Sequence, residues 1–227
     1  MIGVTENLKL IRDLLADSAK KAERDPAAVR LLAVSKKQPL EKVLEAAAAG
    51  QRDFGENLVQ EGLSKVENTA SVGLTWHFIG HLQTNKTRAV AEHFDWVHSI
   101  DRLKIAARLS RQRPAELGPL RVCLQVNIDE EDGKTGVRTD ELPELAAAVA
   151  ELPNLELRGL MCLPAIRRGF ESQRVPFRAL RGLAESLAQT GIATDTLSMG
   201  MTGDFEAAIA EGATIVRIGT AVFGPRE

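Results

Sequence analysis

Short β-branched or apolar runs bounded by turn residues alternate along the chain with stretches in which apolar side chains recur every three or four positions. The runs are LLAVS (31–35), RDFGE (52–56), WHFIG (76–80), DWVHSI (95–100), RVCLQVNI (121–128), LELRGLMCL (155–163), DTLSMG (195–200) and TIVRIG (214–219). Runs of this length and composition read as buried strands. Between them, Leu40, Val43, Leu44 and Ala47, then Leu142, Leu145, Ala146 and Val149, then Leu180, Leu183 and Leu187 keep the spacing of a helix with one buried face. A further amphipathic helix carrying Leu8, Ile11, Leu14, Leu15 and Ala19 precedes the first strand. Regular alternation without hairpin turns implies right-handed crossovers and a parallel sheet. Eight such units predict an α/β fold with one domain over residues 1–227, a closed (β/α)8 barrel of the TIM type with an extra N-terminal helix. The alternative is an open doubly wound sheet, but its G-x-G-x-x-G turn after the first strand is missing.

Composition narrows the function classes. With 29 Lys+Arg against 31 Asp+Glu the chain carries a net charge of −2, which argues against binding nucleic acid by phosphate neutralisation. Two cysteines, Cys123 and Cys162, cannot staple a chain this long, so a reducing, cytoplasmic setting is expected. Both sit inside apolar runs and read as inert core thiols. Residues 1–25 are charged every few positions, and no run has signal-peptide or membrane-spanning length. There is no tyrosine, which removes a common catalytic acid or base.

In such a barrel the active site forms at the C-terminal ends of the strands, and the loops after the last two strands commonly bind phosphate. Lys36 directly follows the first apolar run. A partly desolvated lysine there can form a Schiff base with a carbonyl, although a solvated loop lysine is the commoner fate. Strand alternation places Lys36 and Lys37 on opposite faces without saying which points inward. Thr202, Gly203 and Asp204 before EAAIA resemble a helix N-cap that would suit an anion. Arg217 would aim a guanidinium at the barrel mouth, while Gly219 and Thr220 offer close backbone approach and a hydroxyl. Each of these is singly explained as a turn or cap residue; together they outline a phosphate cradle opposite a lysine. That arrangement fits pyridoxal 5′-phosphate (PLP) or a phosphorylated sugar. His98 and Asp129 also fall at expected strand ends.

Other patterns carry less. His77 and His81 are four apart but straddle a strand and a glycine, without a further ligand at metal spacing, so no metal site is expected. Gly133-Lys134-Thr135 echoes a P-loop whose first glycine is absent, and Asp132-Gly133 reads as a turn. Lys86, Lys134, Arg167 and Arg168 read as solvated loop residues, and the segment 165–176 as irregular.

The blocks AVSKKQP (33–39), FGENLVQE (54–61), HFIGHLQTNK (77–86), NIDEEDGKTG (127–136), GLMCLP (159–164), LSMGMTGDFEAAI (197–209) and VRIGTAVFG (216–224) closely resemble the PLP homeostasis proteins, the YggS/PROSC or PLP-binding-protein family. The resemblance runs in order from the first strand to the last. It implies a barrel of fold type III, similar to the N-terminal domain of alanine racemase, with PLP held as a Schiff base on Lys36. Thr202, beside Met201 in the SMGM block, corresponds to a phosphate-binding hydroxyl residue. Arg217 corresponds to the residue facing the pyridine nitrogen, and Gly219 and Thr220 to phosphate contacts. Asn57 and His81 match blocks near the cofactor.

An arginine at the pyridine nitrogen leaves the ring unprotonated and weakens it as an electron sink. Racemases with such an arginine pair their lysine with a tyrosine from a second domain, for which this length leaves no room. The resemblance therefore implies a non-catalytic role in PLP (vitamin B6) homeostasis, as a monomer or weak homodimer that passes PLP to apo-enzymes, with no nucleic-acid or membrane partner. A weak PLP-dependent racemase or decarboxylase using His81, and a cofactor-free Schiff-base aldolase, stay open as alternatives.

Overall fold

The computed structural model describes residues 3–131 and 133–225. The eight apolar runs form parallel strands bonded in chain order, and the barrel closes by pairing of the first strand with the last. The chain enters through α1 (Val4–Lys21), followed by β1 (Arg30–Val34), α2 (Leu40–Ala48), β2 (Asp53–Glu56), α3 (Val59–Asn68) and β3 (Thr75–Phe78). It continues through α4 (Thr87–His93), β4 (Trp96–Ile100), α5 (Leu103–Gln112), β5 (Leu120–Val126), α6 (Leu142–Ala150) and β6 (Leu155–Cys162). The last units are α7 (Phe170–Gln189), β7 (Thr196–Ser198), α8 (Phe205–Ala210), β8 (Ile215–Ile218) and α9 (Thr220–Phe223). Among the described residues no helix is long and apolar enough to cross a membrane.

Two-residue alternation sorts the strand side chains between two environments. Leu31 and Ala33 of β1, Phe54 of β2, Trp76 and Phe78 of β3, Val122 and Leu124 of β5, and Val216 and Ile218 of β8 point outward into one apolar layer shared with the helices. Each fully buried leucine or phenylalanine there contributes about 1.5–3 kcal/mol. The inward set differs. Trp96, Cys123 and Met161 make a separate apolar cluster inside the barrel. Arg30, Arg121 and Arg158 lie 5.5, 5.7 and 5.4 Å from the Trp96 ring centre and cover it. With Trp96 opening β4 and Arg30 opening β1, the capped end of this cluster is the N-terminal end of the barrel, and Met161, near the end of β6, reaches toward the other end. Other inward positions, His77, His98, Ser198 and Arg217, are polar and buried.

Some expectations shift. Helical spacing puts Leu14 and Leu44 on buried stripes, yet both are exposed, while Ala46 completes the buried face of α2. Each lies at the margin of a stripe whose centre is already filled, by Ile11 and Leu15 in α1 and by Val43 and Ala47 in α2. Within the expected irregular segment, α7 already begins at Phe170, well before Leu180, and runs through Pro176. Its first turns lack an apolar stripe because Phe170 and Val175 face solvent. Instead, Arg174, Arg178 and Arg181 of α7 pair with Glu211, which is fully buried just past α8. Arg167, expected to be solvated, is paired with Asp129. The same carboxylate accepts the Ala165 amide at 2.6 Å, so Asp129 ties down the loop after β6. Lys134 pairs with Glu131. In the expected Asp132-Gly133 turn, Asp132 lies outside the described residues, and Gly133 has a φ of 77°.

Candidate functional site

The first strand decides which lysine enters the barrel. Leu31, Ala33 and Ser35 follow the outward row, and Ser35 donates its hydroxyl to Glu56 Oε1 at 2.6 Å. Val34 and Lys36 follow the other row, and both line a cavity of about 530 Å³ at the C-terminal ends of the strands. Lys37 adopts a φ of 56°, turns away, and donates its amide to Glu61. Lys36 is therefore the inward-facing lysine.

Arg217 enters the same cavity from β8. Its Nη1 donates to the Ser198 carbonyl and, at 2.8 Å, to the Ser198 hydroxyl; its Nη2 donates to the Cys162 carbonyl at 2.8 Å. These bonds fix the plane of the guanidinium and leave further N–H groups on Nη2 and Nε. Burial pushes its pKa below the ordinary arginine value, but no carboxylate pairs with it among the described residues.

Met201, Thr202 and Gly203 after β7, and Gly219 and Thr220 after β8, also line the cavity. Thr202 is not the cap of the following helix. Asp204 takes that position, and its Oδ1 accepts the Met201 amide at 2.6 Å. The Thr202 hydroxyl is thereby released from local duty. No hydrogen bond among the described residues uses the amides of Thr202 or Gly203 or the hydroxyls of Thr202 and Thr220. Burial pushes the Asp204 carboxyl up, against the Met201 amide bond and the Arg217 charge, which pull it down.

Asn57, just past β2, completes the cavity, and its Oδ1 is buried with no hydrogen-bond partner among the described residues. His81 stands apart. Its half-exposed ring faces Asp101, with Nδ1 3.9 Å from Oδ2, and it does not line the cavity. The turn after β3 carries it past the mouth.

One histidine lies deeper than its place along the sequence predicts. His98, expected at the mouth from its position near a strand end, is buried within the barrel, as is His77. His77 Nε2 lies 3.0 Å from Asp53 Oδ1, and its Nδ1 lies 2.9 Å from His98 Nε2. His98 Nδ1 lies 2.8 Å from Ser198 Oγ, the group bonded to Arg217. Burial pushes both imidazoles below the ordinary histidine value; for His98 the nearby His77 and Arg217 add to the effect. Apolar runs alone hide this cluster. The inward register of each strand exposes it, because Asp53, His77, His98, Ser198 and Arg217 all occupy inward positions.

The sequence and structure of this chain match known proteins over nearly its whole length. Residues 7–227 match the model of the alanine racemase N-terminal domain family. A pyridoxal phosphate homeostasis protein of Pseudomonas aeruginosa is 55% identical, the match spanning 100% of this chain and 97% of that protein. One from Escherichia coli K12 is 52% identical across 100% of this chain and 98% of its own length. PipY from Synechococcus elongatus, in a structure determined with PLP bound, is 37% identical and superposes with a TM-score of 0.81, covering 92% of this chain and 100% of that one. Alanine racemase from Corynebacterium glutamicum, 18% identical with a TM-score of 0.68 over 95% of this chain and 61% of that one, shares the barrel fold. With an alanine racemase N-terminal domain throughout and full-length relatives of this identity, the chain belongs to the pyridoxal phosphate homeostasis protein family.

Proposed function

We propose that this chain is a single-domain, cytoplasmic PLP-binding protein that holds PLP through Lys36 and serves intracellular PLP homeostasis, without an efficient amino-acid reaction of its own. The observation that carries the reading is the convergence of Lys36, Arg217, Asn57 and the Thr202–Gly203 and Gly219–Thr220 loops on one cavity.

The residues present fit the cofactor. PLP supplies, when bound, an aldehyde that condenses reversibly with a primary amine, and the inward row of β1 brings one amine, that of Lys36, into the cavity. The hydroxyls of Thr202 and Thr220 and the Thr202 and Gly203 amides are donors suited to a phosphate dianion. The orphaned Asn57 Oδ1 is an acceptor that a ligand hydroxyl can satisfy. Arg217 presents N–H groups and no acceptor, so a ring nitrogen facing it must accept a hydrogen bond and stays unprotonated.

The cavity also favours holding over turning over. Among the described residues lining it, Lys36 and Arg217 are the ionisable ones, and an arginine keeps its protons. Stereochemical inversion at an amino-acid α-carbon needs a second proton carrier opposite the lysine. His81, the candidate for that part, faces Asp101 instead. Retaining the reactive aldehyde on Lys36 limits its reaction with stray amines, and reversible release makes it available to PLP-dependent apo-enzymes. Full burial of the barrel interior leaves release to the C-terminal mouth.

The test is the absorption spectrum of the purified protein with PLP, borohydride reduction, and peptide mapping of the adduct. A visible band that bleaches, with the adduct on Lys36, supports the reading; a band without modification at Lys36 removes it. α-Deuterium exchange on a panel of amino acids checks the non-catalytic part, and rapid stereochemical turnover would overturn it.

A further inference from the structure

We infer that Asp53, His77, His98 and Ser198 are positioning residues for Arg217, joined into a one-directional hydrogen-bond chain that runs from the cofactor cavity to a carboxylate at the opposite end of the barrel. The inference rests on the PLP-binding reading and extends it to residues that cannot touch the cofactor.

One chemical fact sets every proton in the chain. A guanidinium has donors and no acceptor, so Arg217 Nη1 must donate to Ser198 Oγ across 2.8 Å. The serine hydroxyl has one hydrogen, and its remaining neighbour, His98 Nδ1 at 2.8 Å, therefore accepts it. A neutral His98 accepting at Nδ1 carries its proton on Nε2 and donates to His77 Nδ1 at 2.9 Å. By the same logic His77 carries its proton on Nε2 and donates to Asp53 Oδ1 at 3.0 Å. All four bonds point the same way, and the last acceptor is an anion. With both rings neutral, reversing any link between Ser198 and Asp53 would leave two acceptors facing each other at that link or further along the chain.

The location gives the chain its purpose. Arg217, Ser198, His98 and His77 are buried, whereas the Asp53 side chain is 23% exposed at the start of β2, beside Arg30. Burial alone would raise the Asp53 carboxyl, but the His77 bond and the Arg30 and Arg121 charges hold it below its usual value. A buried guanidinium without compensation is strongly unfavourable. A carboxylate directly against Arg217 would compensate it, but would also compete for the N–H groups needed in the cavity. Asp204 already offers Arg217 a carboxylate charge without bonding to it, and the chain adds a second anion at a distance. Polarisation along aligned hydrogen bonds strengthens each member, and the guanidinium stays fixed with its remaining N–H groups available to the cofactor ring.

Two measurements test this. In protein without added PLP, long-range ¹H–¹⁵N correlation spectra should show both His77 and His98 as neutral Nε2–H tautomers; either ring carrying its proton on Nδ1 overturns the chain. With PLP, Ser198→Ala and Asp53→Ala should each weaken binding roughly ten-fold and shift the visible band, and the double variant should lose little more than either single one. Asp53→Glu should restore part of the loss, and covers the case in which Asp53→Ala fails to fold. Unchanged PLP affinity and spectrum in Ser198→Ala, or strictly additive losses, would overturn the positioning role even if thermal stability falls. Failure of the unaltered protein to bind PLP would sink the cofactor reading, while the tautomer measurement would still decide the direction of the chain.

Discussion

Lys65 Nζ lies 2.7 Å from Glu56 Oε1, and the two side chains are 7% and 0% exposed. The same ammonium donates to the Ser35 carbonyl at 2.7 Å and to Glu61 Oε1 at 2.8 Å. Glu56 also accepts the Ser35 hydroxyl, and Glu61 accepts the Lys37 amide. The cluster thus grips the residue on each side of Lys36. Outside the barrel wall, it fixes the turn that sends Lys36 inward.

Removing the ammonium leaves Glu56 buried without its partner, so Lys65→Met should cost about 3–5 kcal/mol. Burial already raises the Glu56 carboxyl despite the bonds from Lys65 and Ser35, so the variant should drive it further toward the protonated acid. Thermal melts of the protein without PLP check the loss. A paired Glu56→Gln, Lys65→Met variant should recover much of that stability while its PLP affinity stays below that of the unaltered protein, because the Lys65 bonds to the Ser35 carbonyl and to Glu61, the acceptor of the Lys37 amide, are lost.

Two glycines, Gly80 against the Asn57 backbone and Gly203 in the cavity wall, separate packing from ligand contact. A Cβ on Gly80 would lie 2.1 Å from the Asn57 carbonyl oxygen, so Gly80→Ala must displace the Asn57 backbone. Loss of both stability and PLP affinity is expected, on the order of 1–3 kcal/mol for the first. A Cβ on Gly203 meets nothing within 4 Å. Gly203→Ala should leave the melting temperature unchanged and weaken PLP binding alone, because the added methyl crowds an amide offered to the phosphate. Equal effects of the two variants on stability would contradict the assignment.

How much of this was legible in the sequence depends on what sets each feature. Strand alternation and helical spacing reflect burial on the outer layer, and that is why all eight strands fall where the apolar runs stand. The cavity residues Lys36, Thr202, Arg217 and Thr220 were legible because barrel geometry sends strand ends to one mouth. The roles of Asp129 and Asp204 were not. Each carboxylate is drawn to a nearby backbone amide, at Ala165 and Met201, and that competition depends on loop shape. The start of α7 was hidden because Arg174, Arg178 and Arg181 hold it through buried Glu211, not through an apolar stripe. The histidine chain was hidden because its members lie in inward positions of five different strands.

Cys123 and Cys162 are fully buried, and burial pushes each thiol up to about 12. Thiolate is the reactive form, so neither should react with a disulfide reagent in the folded protein near neutral pH. An aromatic disulfide reagent should release no chromophore until denaturant is added, after which both thiols react. Rapid labelling of the folded protein would place at least one thiol nearer the surface than its full burial allows.

The histidine pair gives the protein a particular response to acid. His77 and His98 are held below their ordinary value of 6.5, first by burial. As pH falls through 6.5 the unfolded chain takes up protons on these rings while the folded chain does not. The unfolded state then binds more protons, so stability falls as pH falls, by at most about 1.4 kcal/mol per pH unit for each ring. Asp53 acts in the same direction in a lower window, since its depressed pKa adds stability that is lost only as pH falls below its ordinary 3.8. Arg217 and Arg30 oppose protonation of His98, and Asp53 favours protonation of His77, so His98 should be the more resistant ring. Melting temperature should therefore be level from about pH 8 to pH 7 and decline between about pH 6.5 and pH 5. His98→Gln should flatten that decline, although its stability at neutral pH is lower because the replacement cannot reproduce both ring contacts. A decline of equal slope in His98→Gln would assign the acid response to other groups.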